Sequence, residues 1–217
     1  TSLTYRSLTG TIYPEMGKDF MDFWSLERMR VDYPAQWGTA VNFMHAYQGQ
    51  WDPADLHRVM RAYMGTVMLH DALPTGNHNG HATNLIRMRA AFGIGDADVR
   101  FLPYWEDTGI VSENADVKLA AWVKPDKLML LVTNFGKKQV ASIRIDPAEL
   151  GWTGRTLVVT DAERGYQKHG RRPDPEGGFE RFVIWDGNDN PPVRQDGEHL
   201  HVPVKRHNYR LLIVSPE

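Results

Sequence analysis

The chain has 217 residues, a formal net charge of −2, 41% hydrophobic residues and 24% charged residues, a composition typical of folded globular proteins. The near-neutral charge creates no global field that would recruit nucleic acid or an anionic membrane, so neither is expected as a partner. Cys is absent, which excludes disulfides, thiolate nucleophiles and Cys-ligated zinc and leaves the compartment undetermined. The sequence begins Thr1-Ser2-Leu3 without Met, which we expect to be a processed or truncated end.

The first half of the chain alternates between strand and helix patterns. Residues 37–44, WGTAVNFM, form a short apolar run that predicts a buried strand followed by a polar loop. Asp52 and Pro53 are typical of a helix start, and apolar residues recur at helical spacing up to about residue 71. A second helix is predicted over residues 81–92, ending at Gly93. This order of elements indicates an α/β arrangement.

In the second half the apolar period changes to two. The pattern predicts seven short strands, over residues 117–123, 127–134, 139–145, 156–160, 179–185, 200–204 and 209–214. Short strands at this spacing predict an antiparallel β-sandwich over residues 114–217. Residues 168–178 are rich in Pro, Gly and charge, so we expect a hairpin loop without regular structure there.

Taken together, these pieces resemble the C-terminal part of glycoside-hydrolase-like proteins, in which a TIM barrel is followed by a β-sandwich. The phrases that carry the resemblance are NFMHAYQ, HDALP, FGIGDADVRFLPYW, VKLAAWVKPDKLMLLVTNFGKKQ and HNYRLLIV. The resemblance points toward the neighbourhood of the substrate-assisted β-N-acetylhexosaminidase-like families. It implies an α+β, multidomain chain, with a late (β/α)-barrel segment over residues 1–113 and the antiparallel sandwich over 114–217. A complete barrel takes about 250 residues, so residues 1–113 would be its last units only.

The expected substrate subsite follows from the barrel interpretation, because barrel enzymes bind substrate at the C-terminal ends of their strands. Residues 39–44 would be a late barrel strand, which makes the residues after it, His45, Tyr47, Gln48 and Trp51, candidates for sugar contact. Glu15 would lie at the end of an earlier strand-like run over residues 10–13. The alternative is that residues 45–51 form a capped turn whose aromatic side chains pack on the following helix. The sequence singles out no pair of catalytic carboxylates, so the catalytic residues are unknown.

No metal site or cofactor is expected. His70, Asp71, His78 and His81 are close in sequence, but their spacing matches no common zinc motif. Residues 186–190, DGNDN, lack the downstream Glu of a calcium loop and are expected to form a hairpin turn.

The leading functional hypothesis is the C-terminal portion of a carbohydrate-active enzyme, with a carbohydrate substrate and the remainder of its own barrel as partners. Whether the chain is an enzyme stays uncertain, because activity would require a full barrel. The alternative is a noncatalytic carbohydrate-binding or protein-interaction module, for which exposed coplanar aromatic side chains on one sandwich face would be evidence.

Overall fold

The computed structural model describes residues 4–6, 12–16, 21, 25–32, 42–45, 52–74 and 82–217. Its helices are α1 (Leu26–Asp32), α2 (Pro53–Leu69) and α3 (Thr83–Phe92). Its strands are β1 (Thr4–Arg6), β2 (Ile12–Met16), β3 (Asn42–His45), β4 (Leu73–Pro74), β5 (Arg100–Leu102), β6 (Ile110–Ser112), β7 (Val117–Lys124), β8 (Lys127–Asn134), β9 (Gln139–Ile145), β10 (Leu157–Asp161), β11 (Gln167–Pro173), β12 (Phe179–Asp186), β13 (Arg194–Asp196), β14 (His199–Val204) and β15 (Asn208–Pro216). None of these helices combines the length and the hydrophobicity that crossing a membrane would require.

The first four strands form one sheet in chain order. β1 and β2 pair antiparallel, whereas β2, β3 and β4 run parallel to one another. Because α2 connects β3 to β4, residues 42–74 form a strand–helix–strand unit.

The expected partial (β/α) barrel is wrong. The described strands are mostly antiparallel, and no pairing among them closes the sheet of β1 to β4 into a barrel. The sheet also begins with an antiparallel pair, which a barrel of parallel strands does not contain. Apolar periodicity identifies a strand–helix–strand unit, but the same pattern occurs in open and closed sheets.

Helix α2 begins and ends where the sequence indicates. The Asp52 carboxylate accepts hydrogen bonds from the backbone N–H groups of Ala54 at 2.8 Å and Asp55 at 3.3 Å, and Pro53 occupies the first helical position, where its missing N–H costs nothing. The apolar residues that recur at helical spacing along α2 are buried, among them Leu56, Met60, Tyr63, Met64 and Val67.

Two antiparallel sheets form the predicted β-sandwich. One has the strand order β10-β15-β8-β7-β5 and the other the order β13-β14-β9-β6. Their facing side chains share one apolar core, with Leu130 and Leu212 from the first sheet and Ile143 and Leu200 from the second. Each of the seven predicted strands is present within two residues of its expected ends, but the one over residues 179–185 is β12, which pairs with β11 in a separate two-stranded sheet and not in the sandwich.

The five-stranded sheet is buried on both faces. In β7, Leu119, Ala121 and Val123 face the sandwich core, while Ala120 and Trp122 pack in the cluster that contains α2 and α3. The helices, the five-stranded sheet and the four-stranded sheet of β13, β14, β9 and β6 therefore make three layers. This explains the nearly continuous apolar runs of β7 and β8, because a strand buried on both faces has no polar side.

The expectation of an irregular loop over residues 168–178 is wrong in part. Residues 167–173 form β11, which pairs with β12, and the turn is confined to residues 174–178. Gly170 lets the Phe182 ring lie against the backbone of β11, because a Cβ at that position would lie only 2.7 Å from the ring. The loop expectation failed because strands whose side chains are largely exposed carry little apolar periodicity.

The boundary expected at Asn114 stays a prediction. Two short strands on its N-terminal side pair with strands on its C-terminal side, β5 with β7 and β6 with β9.

Met60→Asp tests the packing of α2. Met60 is 0% exposed, so the introduced carboxylate would be buried without a partner, and we expect the free energy of unfolding to fall by about 3 to 5 kcal/mol. The matched control is Ile86→Asp on α3, where the side chain is 49% exposed and the change should stay within about 0.5 kcal/mol. Equal urea midpoints for the two variants would contradict the assigned face.

Candidate functional site

The predicted subsite residues belong to, or directly follow, two neighbouring strands. Glu15 is in β2, and His45 is the last residue of β3. Tyr47, Gln48 and Trp51 lie outside the described residues, so their part in the subsite stays a prediction.

The backbone brings Glu15 and His45 to the same edge of the sheet. Glu15 pairs with Met44 and Met16 pairs with His45, so the two candidates are one register step apart on adjacent parallel strands. In open sheets with parallel strands, ligands bind beyond the carboxyl ends of those strands. Glu15 and His45 are therefore placed where a ligand site is expected.

A buried ion pair joins α2 to the sandwich. Arg61 Nη1 donates to Glu163 Oε1 at 2.7 Å, and the two side chains are 5% and 0% exposed. Arg61 Nε also donates to Asn208 Oδ1 at 2.6 Å, and Nη2 donates to the Tyr209 carbonyl at 2.8 Å. Because each guanidinium nitrogen has an acceptor, the position of Arg61 is fixed in three directions.

The surroundings keep Arg61 charged. Its guanidinium carbon lies 4.1 Å from the centre of the Tyr209 ring and 4.9 Å from that of Trp185. Burial acts to lower the pKa of Arg61, but the combined effect of Glu163, Tyr209 and Asp161 outweighs it, and the pKa is raised. Burial also raises the pKa of the Tyr209 hydroxyl, so that group is neutral at physiological pH.

The charged network continues from Glu163 to the edge of the five-stranded sheet. The Asn190 amide donates to Glu163 Oε2 at 3.3 Å and to Asp161 Oδ2 at 3.1 Å. Asp161 Oδ2 also accepts from Arg210 Nη2 at 2.7 Å. A continuous chain of polar contacts therefore runs from α2 to the end of β10.

A second polar group lies just before β4, at the amino ends of the parallel strands of the N-terminal sheet and so opposite Glu15 and His45. Asp71 has a left-handed backbone with φ of 48°, which Asp tolerates better than most residues. Its Oδ1 accepts from Trp122 Nε1 at 2.9 Å and from Arg89 Nη2 at 3.4 Å. Burial lowers the pKa of Arg89, and Asp71 offsets this only in part. Asp71 thus ties the end of α2 to both α3 and the sandwich.

His70 is packed beside this group as a neutral ring. Its Nδ1 lies 2.8 Å from the Thr66 carbonyl, so Nδ1 carries the proton. The Tyr104 and Trp105 rings lie 5.6 Å and 5.8 Å from it. Burial lowers the pKa of His70, and hydrogen bonding to the carbonyls of Thr66 and Leu26 offsets this only in part. Burial likewise raises the pKa of Tyr104, to about 12.

Among the described residues, His70 and Asp71 have no further His, Asp or Glu partners with which to form a metal site. His78 and His81 lie outside the described ranges, and the described residues contain no group of three or more His, Asp or Glu side chains that could hold a metal ion. Residues 187–189 form a single 3-10 turn capped by Asp186, whose Oδ1 accepts from the Asn188 N–H at 2.8 Å.

Sequence reasoning missed the Arg61 network. The signal in α2 was Arg61, inside the largely apolar residues 59–69, and its partner Glu163 lies 102 positions further along the chain. Asp161 is the last residue of β10 and Glu163 stands in the polar turn after it, where carboxylates are ordinary. Only the tertiary fold brings these charges together.

No protein-family model matches the chain, and no curated protein matches its sequence. The chain is weakly similar to a GH30 endoxylanase from Clostridium papyrosolvens C71. The identity is 9% and the TM-score is 0.38, over 94% of this chain and 49% of the endoxylanase. The chain therefore spans about half the length of that protein. A likeness this weak carries no argument for an activity.

Arg61→Met tests the ion pair. It would leave Glu163 buried without its cation, and we expect a loss of about 3 to 5 kcal/mol in the free energy of unfolding. The double variant Arg61→Met with Glu163→Met removes both charges and should be more stable than Arg61→Met alone. Additive losses in chemical denaturation would show that the pair is not coupled.

The burial of His70 predicts an acid-sensitive fold. Its folded pKa lies below the unfolded value of about 6.5, so its stabilising effect is complete above that pH and is lost as the pH falls. We expect the urea midpoint to drop between about pH 7.5 and 5.5, and to drop less in His70→Gln. His169→Gln, on the exposed side of β11, should behave like the wild type. An unchanged pH dependence in His70→Gln would contradict this assignment.

Proposed function

We propose that this chain is the C-terminal portion of a carbohydrate-active enzyme related in architecture to glycoside hydrolases. In this proposal the N-terminal sheet contributes residues to a sugar subsite, and the β-sandwich stabilises the sheet and its helices. The substrate is a carbohydrate, and we assign no catalytic carboxylates within the chain.

The observation that carries the proposal is that Glu15 and His45 lie near the carboxyl ends of two neighbouring strands. Their strands are hydrogen-bonded neighbours and run parallel, so a ligand beyond the carboxyl ends meets both positions. Carboxylate and imidazole groups can each hydrogen-bond sugar hydroxyls. By sequence, Tyr47, Gln48 and Trp51 belong to the connection between β3 and α2, which starts at this edge.

The attachment of α2 supports the role given to the sandwich. The connection from His45 ends at the capped start of α2, and the Arg61–Glu163 pair holds that helix against the five-stranded sheet. A subsite needs residues that stay in place when sugar binds, because ordering mobile side chains weakens affinity. The sandwich supplies the rigid support.

The alternative of a noncatalytic binding module has less support. An aromatic platform on the sandwich would be its sign, yet the exposed large apolar side chains in the described part of the chain include a single aromatic residue, Phe179. The others are Ile86, Val111, Val140, Val158 and Val183.

Sugar titration of the chain and its variants tests the proposal. We expect binding of neutral oligosaccharides, tested with xylose-based and N-acetylglucosamine-based series, and no hydrolysis of aryl glycosides. His45→Ala should weaken the affinity by about 1 to 3 kcal/mol, or roughly 5- to 150-fold, because a hydrogen bond to sugar is lost.

The matched control is His169→Ala, on the exposed side of β11, which should bind sugar like the wild type. Calorimetric affinities that are equal for His45→Ala and the wild type would rule out the subsite. Turnover of aryl glycosides by the chain would contradict the assignment of catalysis to residues elsewhere.

A further inference from the structure

A cavity of about 260 Å³ lies at the edge of the sandwich, far along the chain from the proposed sugar subsite. Its wall is formed by the end of β10, by Arg210 of β15 and by the segment that follows β12. It contains none of the residues assigned to the subsite, so what it binds is independent of the proposed function.

The one carboxylate in the wall is already occupied by donors. Asp161 Oδ1 accepts from the Glu163 N–H at 2.9 Å. Its Oδ2 accepts from Arg210 Nη2 at 2.7 Å and from the Asn190 amide at 3.1 Å. Asp161 therefore serves to position Arg210 and Asn190, and offers little acceptor capacity to a ligand.

The wall has a surplus of donors and of positive charge. Arg210 is 4% exposed; its Nη1 donates to the Pro203 carbonyl at 3.0 Å, and its buried Nε has no hydrogen-bond partner within the described part of the protein. Arg164 also lines the cavity, is exposed, and forms no ion pair with any described carboxylate. Two guanidinium groups thus accompany one carboxylate, which leaves one net positive charge in the wall. Behind the wall, the charges of Arg61 and Glu163 cancel each other.

The remaining wall suits the carbon skeleton of a small molecule. Pro191 and Pro192 contribute rigid apolar surface, beside Val159 and Val193. The volume is below the range of about 300 to 1,000 Å³ that is usual for drug-sized ligands, so the cavity admits about one ring.

The cavity is held open by its own contacts. Asn190 is fixed by Asp161 and Glu163, and the Asn188 Oδ1 accepts from the Gly165 N–H at 3.2 Å. These bonds tie the segment after β12 to the turn that carries Arg164. A ligand would therefore meet a largely preformed site.

We propose that this cavity binds a monosaccharide-sized oxyanion, a sugar acid or a sugar phosphate. The oxyanion binds the exposed guanidinium group of Arg164, which matches carboxylate and phosphate geometry, while Arg210 contributes positive charge from the wall, and the ring packs against the two prolines. A neutral sugar would leave the positive charge uncompensated.

Calorimetric titration of the chain with four probes tests this site: glucuronate, glucose 6-phosphate, glucose and inorganic phosphate. The ionic strength is kept near 0.01 M, where screening is weak. We expect glucuronate or glucose 6-phosphate to bind at least about tenfold more tightly than glucose or inorganic phosphate, a difference of about 1.4 kcal/mol. Arg164→Gln should weaken this binding about tenfold or more, whereas Arg155→Gln, at an exposed Arg outside the cavity, should not.

Three results would overturn the proposal. They are equal binding of glucose and the anions, binding of inorganic phosphate as tight as that of glucose 6-phosphate, and equal effects of Arg164→Gln and Arg155→Gln. The site is also separable from the sugar subsite, because His45→Ala should leave oxyanion binding unchanged and Arg164→Gln should leave neutral oligosaccharide binding unchanged.

Discussion

The buried pair of Arg61 and Glu163 is the constraint on which the arrangement of layers depends. Both charges are buried, so separating them would cost several kcal/mol, and the pair favours the geometry in which the helix and the sandwich bring them together. Gly65 allows the required approach, because a Cβ there would already lie 3.3 Å from Thr133 and Tyr209 of the sheet. A side chain larger than Ala at position 65 would push α2 away from the five-stranded sheet and lengthen the Arg61–Glu163 ion pair.

This constraint links the two proposed sites to one helix. The connection from His45 enters α2 at its capped start, and the network from Arg61 leads through Glu163 and Asn190 to the oxyanion cavity. The same contacts that stabilise the layers therefore fix the positions of both sites. The reason is that a buried charge must be satisfied by hydrogen bonds, and those bonds also order the groups that make them.

The sequence predicts individual helices and strands well, but it predicts poorly whether the strands close into a barrel. Asp52 and Pro53 mark the start of α2, and alternating apolar residues mark the strands of the sandwich, because both signals arise within a few residues. The barrel expectation failed because closure depends on pairing between distant strands. β11 was missed because its side chains are largely exposed, so the strand carries little apolar periodicity. At the site, the sequence could place His45 at a strand end, but the pairing of Arg61 with Glu163 exists only in the folded chain.

Several polar atoms that lie just before β4 are used to hold the fold together. At the edge before β4, Asp71 Oδ1, His70 Nδ1 and the Tyr104 hydroxyl are each engaged with protein partners. Displacing those partners with a ligand would exchange one satisfied hydrogen bond for another and gain little. This edge therefore holds α2, α3 and the sandwich together. The ligand sites proposed above lie elsewhere, at the carboxyl ends of the parallel strands β2 and β3 and at the cavity beside Arg164.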